Sequence, residues 1–299
     1  MSKKNSYLLG ILLTIGIGTI LHYFLCCNCD CEKDKTPQPN IVNNETALPQ
    51  SVFSLQGNGI DYRCNGNFDF LNNDFKSITP INDSVNLGID NLKKALETSK
   101  QRLSVTGYAL ASEKNTSAFE NLGLARANDV KNYFVSRGIP SNSIDIKGEI
   151  KDDLLQKENT VYGPVSFILN DVTETTKVDW NAVKSAINAD PLILYFNSGQ
   201  TSIDLSESDR KKITEITRYL DNVEGAKLDV VGHTDDAGDR SKNIELGKGR
   251  ADFAKEYLVT NGVSAEKIIS SSKGPDQPLA SNATTEGKAK NRRTEVKIN

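Results

Sequence analysis

One stretch near the C-terminus restricts the possible fold more than any other. Residues 228–251 read LDVVGHTDDAGDRSKNIELGKGRA. The run from Leu228 to Gly232 predicts a buried strand, and the cluster of aspartate and glycine after it predicts a turn. Asn243, Leu246 and Arg250 then advance by three and four positions, which is the spacing of one helix face. The chain therefore has to join a buried strand to a helix through a tight polar turn.

Two charged side chains carry the chemistry of this stretch. Asp235 lies in the turn, and Arg250 follows fifteen positions later on the helix. A carboxylate can hold an ammonium group, and a guanidinium can hold a carboxylate through two parallel hydrogen bonds. Backbone N–H groups at the start of the helix are further donors for an anion. Singly, an aspartate here is usually a turn former and a helical arginine is usually solvated, but together they predict a zwitterionic ligand.

Three motifs in sequence order resemble the OmpA C-terminal-like, peptidoglycan-binding domain family. They are GHTDDAG at 232–238, N-x-x-L-G-x-x-R-A at 243–251 and NRRTEVKI at 291–298. The resemblance implies an α/β fold with a mixed sheet. It also implies that Asp235 and Arg250 hold the free amine and the carboxylate of meso-diaminopimelate in the peptide stems of the cell wall.

The same resemblance implies lesser ligand contacts from Thr234, Asn243 and Arg292. Two positions depart from the usual pattern of the family. Gly247 stands where a serine is common, and Asn197 stands where the first strand often has an acidic residue. Neither departure involves the pair of charges that would hold the zwitterion.

Strands and helices alternate over residues 190–299, which predicts the element order βαβαβ(α)β. The apolar run PLILYF at 191–196 predicts the first strand, and Ser206 with Asp209 predicts a capped helix after it. The alternating run 293–298 predicts the closing strand. A linker at 172–189 precedes this domain and contains a short amphipathic helix at 179–189.

An internal repeat precedes this domain, because residues 68–169 align with residues 194–299. FENLGLARA at 119–127 parallels NIELGKGRA at 243–251, and SVTGYA at 104–109 parallels DVVGHT at 229–234. The alignment places Gly107 on Gly232. It also places Leu122, Gly123, Arg126 and Ala127 on Leu246, Gly247, Arg250 and Ala251. We therefore predict tandem OmpA-like sandwich domains, a degenerate one at 53–171 and a ligand-binding one at 190–299.

The ligand site is not repeated in the first domain. Leu110 stands in place of the aspartate, Phe119 in place of the asparagine, and Gly163 or Pro164 in place of the terminal arginine. Arg126 is retained, but the alignment gives it no anionic partner. We expect this domain not to bind diaminopimelate and to serve as a spacer, with a partner-binding surface or a dimer interface as alternatives.

The N-terminus predicts a membrane anchor. Residues 7–25 are free of charged side chains and span about 28 Å as a helix, close to the thickness of a bilayer core. Lys3 and Lys4 should keep residues 1–6 in the cytoplasm, which sends the rest of the chain outward. An uncleaved helix favours the inner membrane, with the outer membrane as the alternative. Gly10, Thr14 and Gly18 form a face of small residues on which two helices could pair.

Four of the five cysteines follow the apolar run, within the linker at 26–52. These are Cys26, Cys27, Cys29 and Cys31. Their closeness in an oxidising compartment favours bridges between two chains of a homodimer, with local pairing, a lipid or a metal as alternatives.

Composition and motifs exclude several other classes of function. The net charge of −3 and the absence of a basic block do not indicate nucleic acid. GxSxG, HExxH and P-loop patterns are missing, so we expect neither an enzyme nor a cofactor. His233 is interpreted as a packing residue and not as a metal ligand.

The predicted function is a wall-binding membrane tether. The alternatives are an envelope scaffold and a subunit of an ion-driven motor, although residues 7–25 lack the acid that ion coupling requires.

Overall fold

Two mixed β-sheets, one in each half of the chain, organise the structure. The computed structural model describes residues 51–172, 178–195 and 205–299. The predicted membrane helix, its face of small residues, the four clustered cysteines and Asn197 lie outside these ranges. Within them, no helix is both long enough and apolar enough to cross a bilayer. We call residues 51–172 the N-terminal region, and residues 178–195 and 205–299 the C-terminal region.

The C-terminal region has the element order that the sequence predicts. Its elements are α3 (Trp180–Ala189), β9 (Leu192–Tyr195), α4 (Glu207–Asn222), β10 (Leu228–His233), α5 (Arg240–Thr260), β11 (Ile268–Gly274), α6 (Thr285–Asn291) and β12 (Arg293–Ile298). The strand order in the sheet is β11-β10-β12-β9, with β10 parallel to β11 and antiparallel to β12. The expectation of an α/β fold with a mixed sheet is confirmed.

Local sequence explains where these helices start and stop. Ser206 and Asp209 form a reciprocal capping box at the start of α4. The predicted amphipathic helix is α3, and its carboxylate cap Asp179 accepts hydrogen bonds from two backbone N–H groups. Gly262, at a φ of 94°, ends α5 in the left-handed conformation that glycine adopts without strain.

The N-terminal region contains a related but altered arrangement. Its elements are β1 (Val52–Gly57), β2 (Ile60–Asn65), β3 (Phe70–Leu71), α1 (Asp83–Thr98), β4 (Gln101–Ala109), α2 (Leu122–Ser136), β5 (Ile144–Ile150), β6 (Gln156–Lys157), β7 (Thr160–Val161) and β8 (Val165–Asp171). Strand β4 is parallel to β5 and antiparallel to β8, as β10 is to β11 and β12.

This region departs from the predicted order βαβαβ(α)β at two points. Strand β3, which precedes α1, pairs with β7 and not with the main sheet, so that sheet has three strands, β5-β4-β8. A β6–β7 hairpin, and not a helix, leads into β8. The hairpin β1–β2 covers the same core instead, with the Phe53 and Phe167 rings 4.8 Å apart.

The two regions pack on each other within one compact unit. The loop before α2 inserts Ala118, which is fully buried, among the core residues of the C-terminal region. The side-chain oxygen of Asn261 accepts a hydrogen bond from the Ala118 N–H at 2.7 Å. A guanidinium N–H of Arg210 donates to the Ser117 carbonyl, and buried Lys131 pairs with Asp221. The loop thus completes the second core.

Candidate functional site

The turn after β10 places Asp235 at the end of the central strand. Strand β10 lies between β11 and β12, so the turn that follows β10 lies at one end of the sheet. The Thr234 N–H donates to the Gly274 carbonyl at 2.9 Å and fixes the first residue of the turn. One carboxylate oxygen of Asp235 accepts from the Ala237 N–H at 3.2 Å, which is the local use of an aspartate in a turn. The other carboxylate oxygen of Asp235 is therefore the one that can bind groups from outside the turn.

That second oxygen binds the side chain of Arg292, which is the residue just before β12. The distance from Arg292 Nη1 to Asp235 Oδ2 is 2.9 Å, and both side chains are mostly buried. The family resemblance implies only a lesser ligand contact for Arg292. The structure instead makes it the ion-pair partner of the key carboxylate. The 57-residue separation of the pair carries no periodic signal by which the sequence could reveal the contact.

Arg250 approaches the same turn from the middle of α5. Its Nη1 donates to the His233 carbonyl at 3.3 Å, directly before Thr234. Burial and the positive charge of Arg292 lower the pKa of Arg250, and the negative charge of Asp235 opposes them. The structure therefore brings Asp235, Arg250 and Arg292 within electrostatic reach of one another.

Close backbone packing positions α5 on β10. A side chain at Gly232 would overlap the carbonyl of Gly247, and a side chain at Gly247 would overlap the Ser272 hydroxyl. The Ser272 hydroxyl therefore favours glycine at position 247 in this chain. Helix α5 lies close enough to the strand for Arg250, one turn after Gly247, to reach the His233 carbonyl.

Two of the N–H groups at the start of α5, which we expect to be donors for a ligand carboxylate, are already bonded within the protein. The Asp239 side chain caps this helix by accepting from the Ser241 N–H at 2.8 Å and the Lys242 N–H at 3.1 Å. Asn243, also expected to contact the ligand, is buried and donates from its side chain to the Ala237 carbonyl at 2.9 Å. Both residues shape the turn that presents Asp235.

Two polar atoms at the site stand out because they are buried without a hydrogen-bond partner among the described residues. They are the Thr234 hydroxyl and Arg292 Nε. Leaving such a group unsatisfied costs about 1–3 kcal/mol. Both atoms belong to side chains for which the family resemblance implies ligand contacts. They are polar groups beside Asp235 whose hydrogen-bonding capacity is unused among the described residues.

Burial and a like charge keep His233 neutral. The residue is 3% exposed, and burial followed by the charge of Arg293 lowers its pKa from 6.5 to about 4. These properties fit a packing residue under the strand end. Within the part of the chain that the structure describes, no cluster of three His, Cys, Asp or Glu side chains could hold a metal ion.

Arg126 of the N-terminal region corresponds to Arg250 but has different ionic contacts. Arg126 Nη1 donates to the Tyr108 carbonyl at 3.0 Å, the counterpart of the bond from Arg250 to His233. The expectation that Arg126 lacks an anionic partner is wrong. It forms a fully buried ion pair with Glu113, which lies in the loop before α2 and was not singled out by the alignment. No aspartate follows β4 because Leu110 occupies that position.

Comparison with known proteins agrees with this architecture. The OmpA family profile matches residues 79–162 and 195–292, which together are more than half of the chain. The probable lipoprotein YiaD of Escherichia coli is 36% identical over 98 residues, covering 33% of this chain and 45% of that protein. The peptidoglycan-binding protein ArfA of Mycobacterium bovis is 36% identical over 119 residues, covering 39% of this chain and 36% of ArfA.

A solved structure shows a likeness as well. The peptidoglycan-associated lipoprotein from Burkholderia pseudomallei matches 36% of this chain and 89% of its own, with 23% identity and a TM-score of 0.32. The aligned part of this chain spans less than half the length of YiaD or of ArfA. With the family profile matched in both regions, the chain belongs to the OmpA family.

Proposed function

We propose that the C-terminal region binds peptidoglycan non-covalently through the free amine and carboxylate of meso-diaminopimelate. One observation carries the proposal: Asp235, Arg250 and Arg292 come from three separate segments and meet around one turn, with Arg292 paired to Asp235 at 2.9 Å and Arg250 bonded to the His233 carbonyl at 3.3 Å. This arrangement offers one anion and two cations to a ligand that bears both signs of charge. The printed name of the relative ArfA, a peptidoglycan-binding protein, supports the same ligand class.

We propose a role for each side chain that agrees with its contacts. Asp235 receives the ligand ammonium on the oxygen that Arg292 now occupies, so Arg292 shares that oxygen or turns toward the ligand carboxylate. Arg250 holds the carboxylate, because burial has already removed much of its water and strengthens a charge-assisted bond. The Thr234 hydroxyl and Arg292 Nε supply further polar contacts, and Asn243 keeps the turn in shape.

The test is isothermal titration of the full-length chain with a muropeptide that contains diaminopimelate. Asp235→Ala and Arg250→Ala should each weaken binding more than a hundredfold, about 2.7 kcal/mol. Asp236→Ala is the matched control, because this neighbouring carboxylate is exposed and its contact is with Lys288, 3.7 Å away, and not with Arg250 or Arg292. A muropeptide with lysine in place of diaminopimelate lacks the carboxylate and should bind weakly. Full binding by both variants would refute the proposal.

We further propose that the N-terminal region is a diverged copy of the same fold that does not bind this ligand. Gly107 packs on Gly123 as Gly232 packs on Gly247, and Arg126 reaches the carbonyl after its glycine as Arg250 does. The guanidinium of Arg126 is already taken by Glu113. The Asp235→Ala titration tests this as well, because binding that persists in this variant would have to come from elsewhere in the chain.

We also propose that the protein tethers a membrane, the inner one, to the wall through residues 7–25. The support is the uncharged run itself and its two preceding lysines. Pairing of two chains through Gly10, Thr14 and Gly18, and through the clustered cysteines, belongs to the same proposal. Membrane fractionation of cells should place the intact chain with the inner membrane. Non-reducing gels should show a dimer that is lost when Cys26, Cys27, Cys29 and Cys31 are replaced by serine.

A further inference from the structure

The buried pair of Glu113 and Arg126 has the contacts of a filled ligand site. The two side chains are 1% and 0% exposed. The carboxylate of Glu113 accepts from Arg126 Nη1 at 2.9 Å and from Arg126 Nη2 at 2.5 Å. It also accepts from the Leu110 N–H at 2.9 Å and the Asn73 N–H at 3.0 Å. Two guanidinium donors and two backbone donors thus converge on a single carboxylate.

Arg126 is equally well satisfied on its own side. Besides the two bonds to Glu113, it donates to the carbonyl oxygens of Asp74, Tyr108 and Leu71 at 3.0, 3.0 and 3.3 Å. A guanidinium has five N–H donors, so every one is used. Three carbonyls therefore hold the guanidinium in place, and two of its donors remain directed at one point. That point is a position for a carboxylate, and the fold creates it by fixing the Arg126 guanidinium, independently of Glu113.

The position of the Glu113 carboxylate corresponds to the proposed ligand site of the C-terminal region. Arg126 corresponds to Arg250, and Leu110 corresponds to Asp235 in the sequence alignment. Both arginines donate from Nη1 to the carbonyl that follows a packed glycine. Glu113 thus contacts Arg126 and the backbone N–H of Leu110, the counterparts of Arg250 and of the turn residue Asp235.

We infer that the N-terminal region contains a carboxylate-binding site that is filled by the protein's own Glu113. The site takes small monocarboxylates, such as acetate or propionate, once the Glu113 side chain is removed. In the intact protein it stays closed, so the region is a self-liganded relative of the wall-binding region. The analogy with the wall ligand depends on the proposed function, but the site itself does not.

The loop that carries Glu113 is held at several points, which explains why the site stays closed. The Lys114 N–H donates to the Asn73 side chain at 2.6 Å, and the Thr116 hydroxyl donates to the Asn73 carbonyl at 2.8 Å. Ala118, a few residues on, is buried in the C-terminal core and bonded to Asn261. The loop that carries Glu113 is therefore also the loop that contacts the C-terminal region.

The experiment is thermal unfolding of the full-length Glu113→Ala variant in sodium acetate and in sodium chloride of equal concentration. The variant should melt below the wild type in chloride, because a buried guanidinium loses its counter-charge. Acetate, on the order of 0.1 M, should raise its melting temperature by several degrees more than chloride does, since a ligand that binds only the folded state stabilises it. Propionate should act similarly.

Two control variants make the result specific. Glu113→Ala/Arg126→Met removes the guanidinium and should not distinguish acetate from chloride. Glu149→Ala replaces an exposed carboxylate that pairs with Lys147 and should melt like the wild type in both salts. An equal effect of the two salts on folded Glu113→Ala would overturn the inference. An acetate effect of the same size in the double variant would overturn it too.

If Glu113→Ala does not fold in either salt, the isosteric variant Glu113→Gln decides the matter. The site predicts that this variant is less stable than the wild type at neutral pH, because a neutral amide cannot accept both guanidinium bonds. Equal stability at neutral pH would overturn the inference. Unfolding reports on this site and calorimetry reports on wall binding, so failure of one proposal leaves the other standing.

Discussion

Arg292 and Asp235 form an ion pair of 2.9 Å that joins the start of the last strand to the turn after the central strand. The pair occupies the carboxylate oxygen that is not used within the turn. In the proposed complex, a ligand ammonium would meet an aspartate that already has a cation beside it. Binding would then exchange Arg292 for the ammonium at Asp235, and the binding free energy would depend on the new contacts of Arg292.

We expect Arg292→Gln to change muropeptide affinity by no more than about tenfold, or 1.4 kcal/mol. The substitution frees Asp235 for the ammonium but removes a cation that could help hold the carboxylate, and the two effects oppose each other. Arg292→Glu should weaken binding far more, because it places a like charge beside Asp235. Calorimetry on both variants checks this. A complete loss with Arg292→Gln would make Arg292 a primary ligand contact.

Glycine packing between β10 and α5 predicts opposite effects for two nearby substitutions. Gly232→Ala should destabilise the protein by about 3 kcal/mol, because the new methyl group overlaps the Gly247 carbonyl. Gly249→Ala lies on α5 with open space around it and should stabilise by roughly 0.5–1 kcal/mol through helix propensity. Chemical denaturation measures both free energies of unfolding. Equal effects would mean that the close approach of helix and strand is absent in solution.

The contact between the two regions predicts a cost for Asn261→Ala. This substitution leaves the buried Ala118 N–H without an acceptor, which costs about 1–3 kcal/mol. Asn58→Ala, on an exposed turn, is the control and should change stability by less than about 0.5 kcal/mol. A single unfolding transition of the full-length chain, shifted to lower denaturant by Asn261→Ala, is the expected result. An unshifted transition would contradict the observed docking.

The buried imidazole of His233 predicts a dependence of stability on pH. Its pKa is about 4 in the folded state and 6.5 in the unfolded state, so between these values the unfolded chain binds the extra proton. Stability relative to His233→Gln should be full above pH 6.5 and should fall as the pH decreases toward 4, by at most about 3 kcal/mol. The charged groups around it are Arg293, Glu295, Lys297 and Lys273. Denaturation of both proteins over this range provides the measurement, and parallel curves would contradict it.

Periodicity, capping and turn residues were enough to predict the C-terminal elements. The closing strand, the capping box at Ser206 and Asp209, and the glycine that ends α5 all appear where local rules place them. The aligned glycines also led correctly to one arginine in each region whose Nη1 reaches a strand-end carbonyl. Each of these features depends on residues a few positions apart, and so it is visible in a linear sequence.

Only the tertiary structure decided which charges meet. The partners of Asp235 and Arg126 are Arg292 and Glu113, which lie 57 and 13 residues away on other segments. No period in the sequence marks such pairs, because loops and sheet order bring them together. Asp239 also caps α5 and occupies two backbone N–H donors that the sequence predicts to be open to a ligand. The sequence by itself determined the framework of the site and the equivalent positions of Arg126 and Arg250, whereas long-range packing determined the electrostatic state of these two arginines.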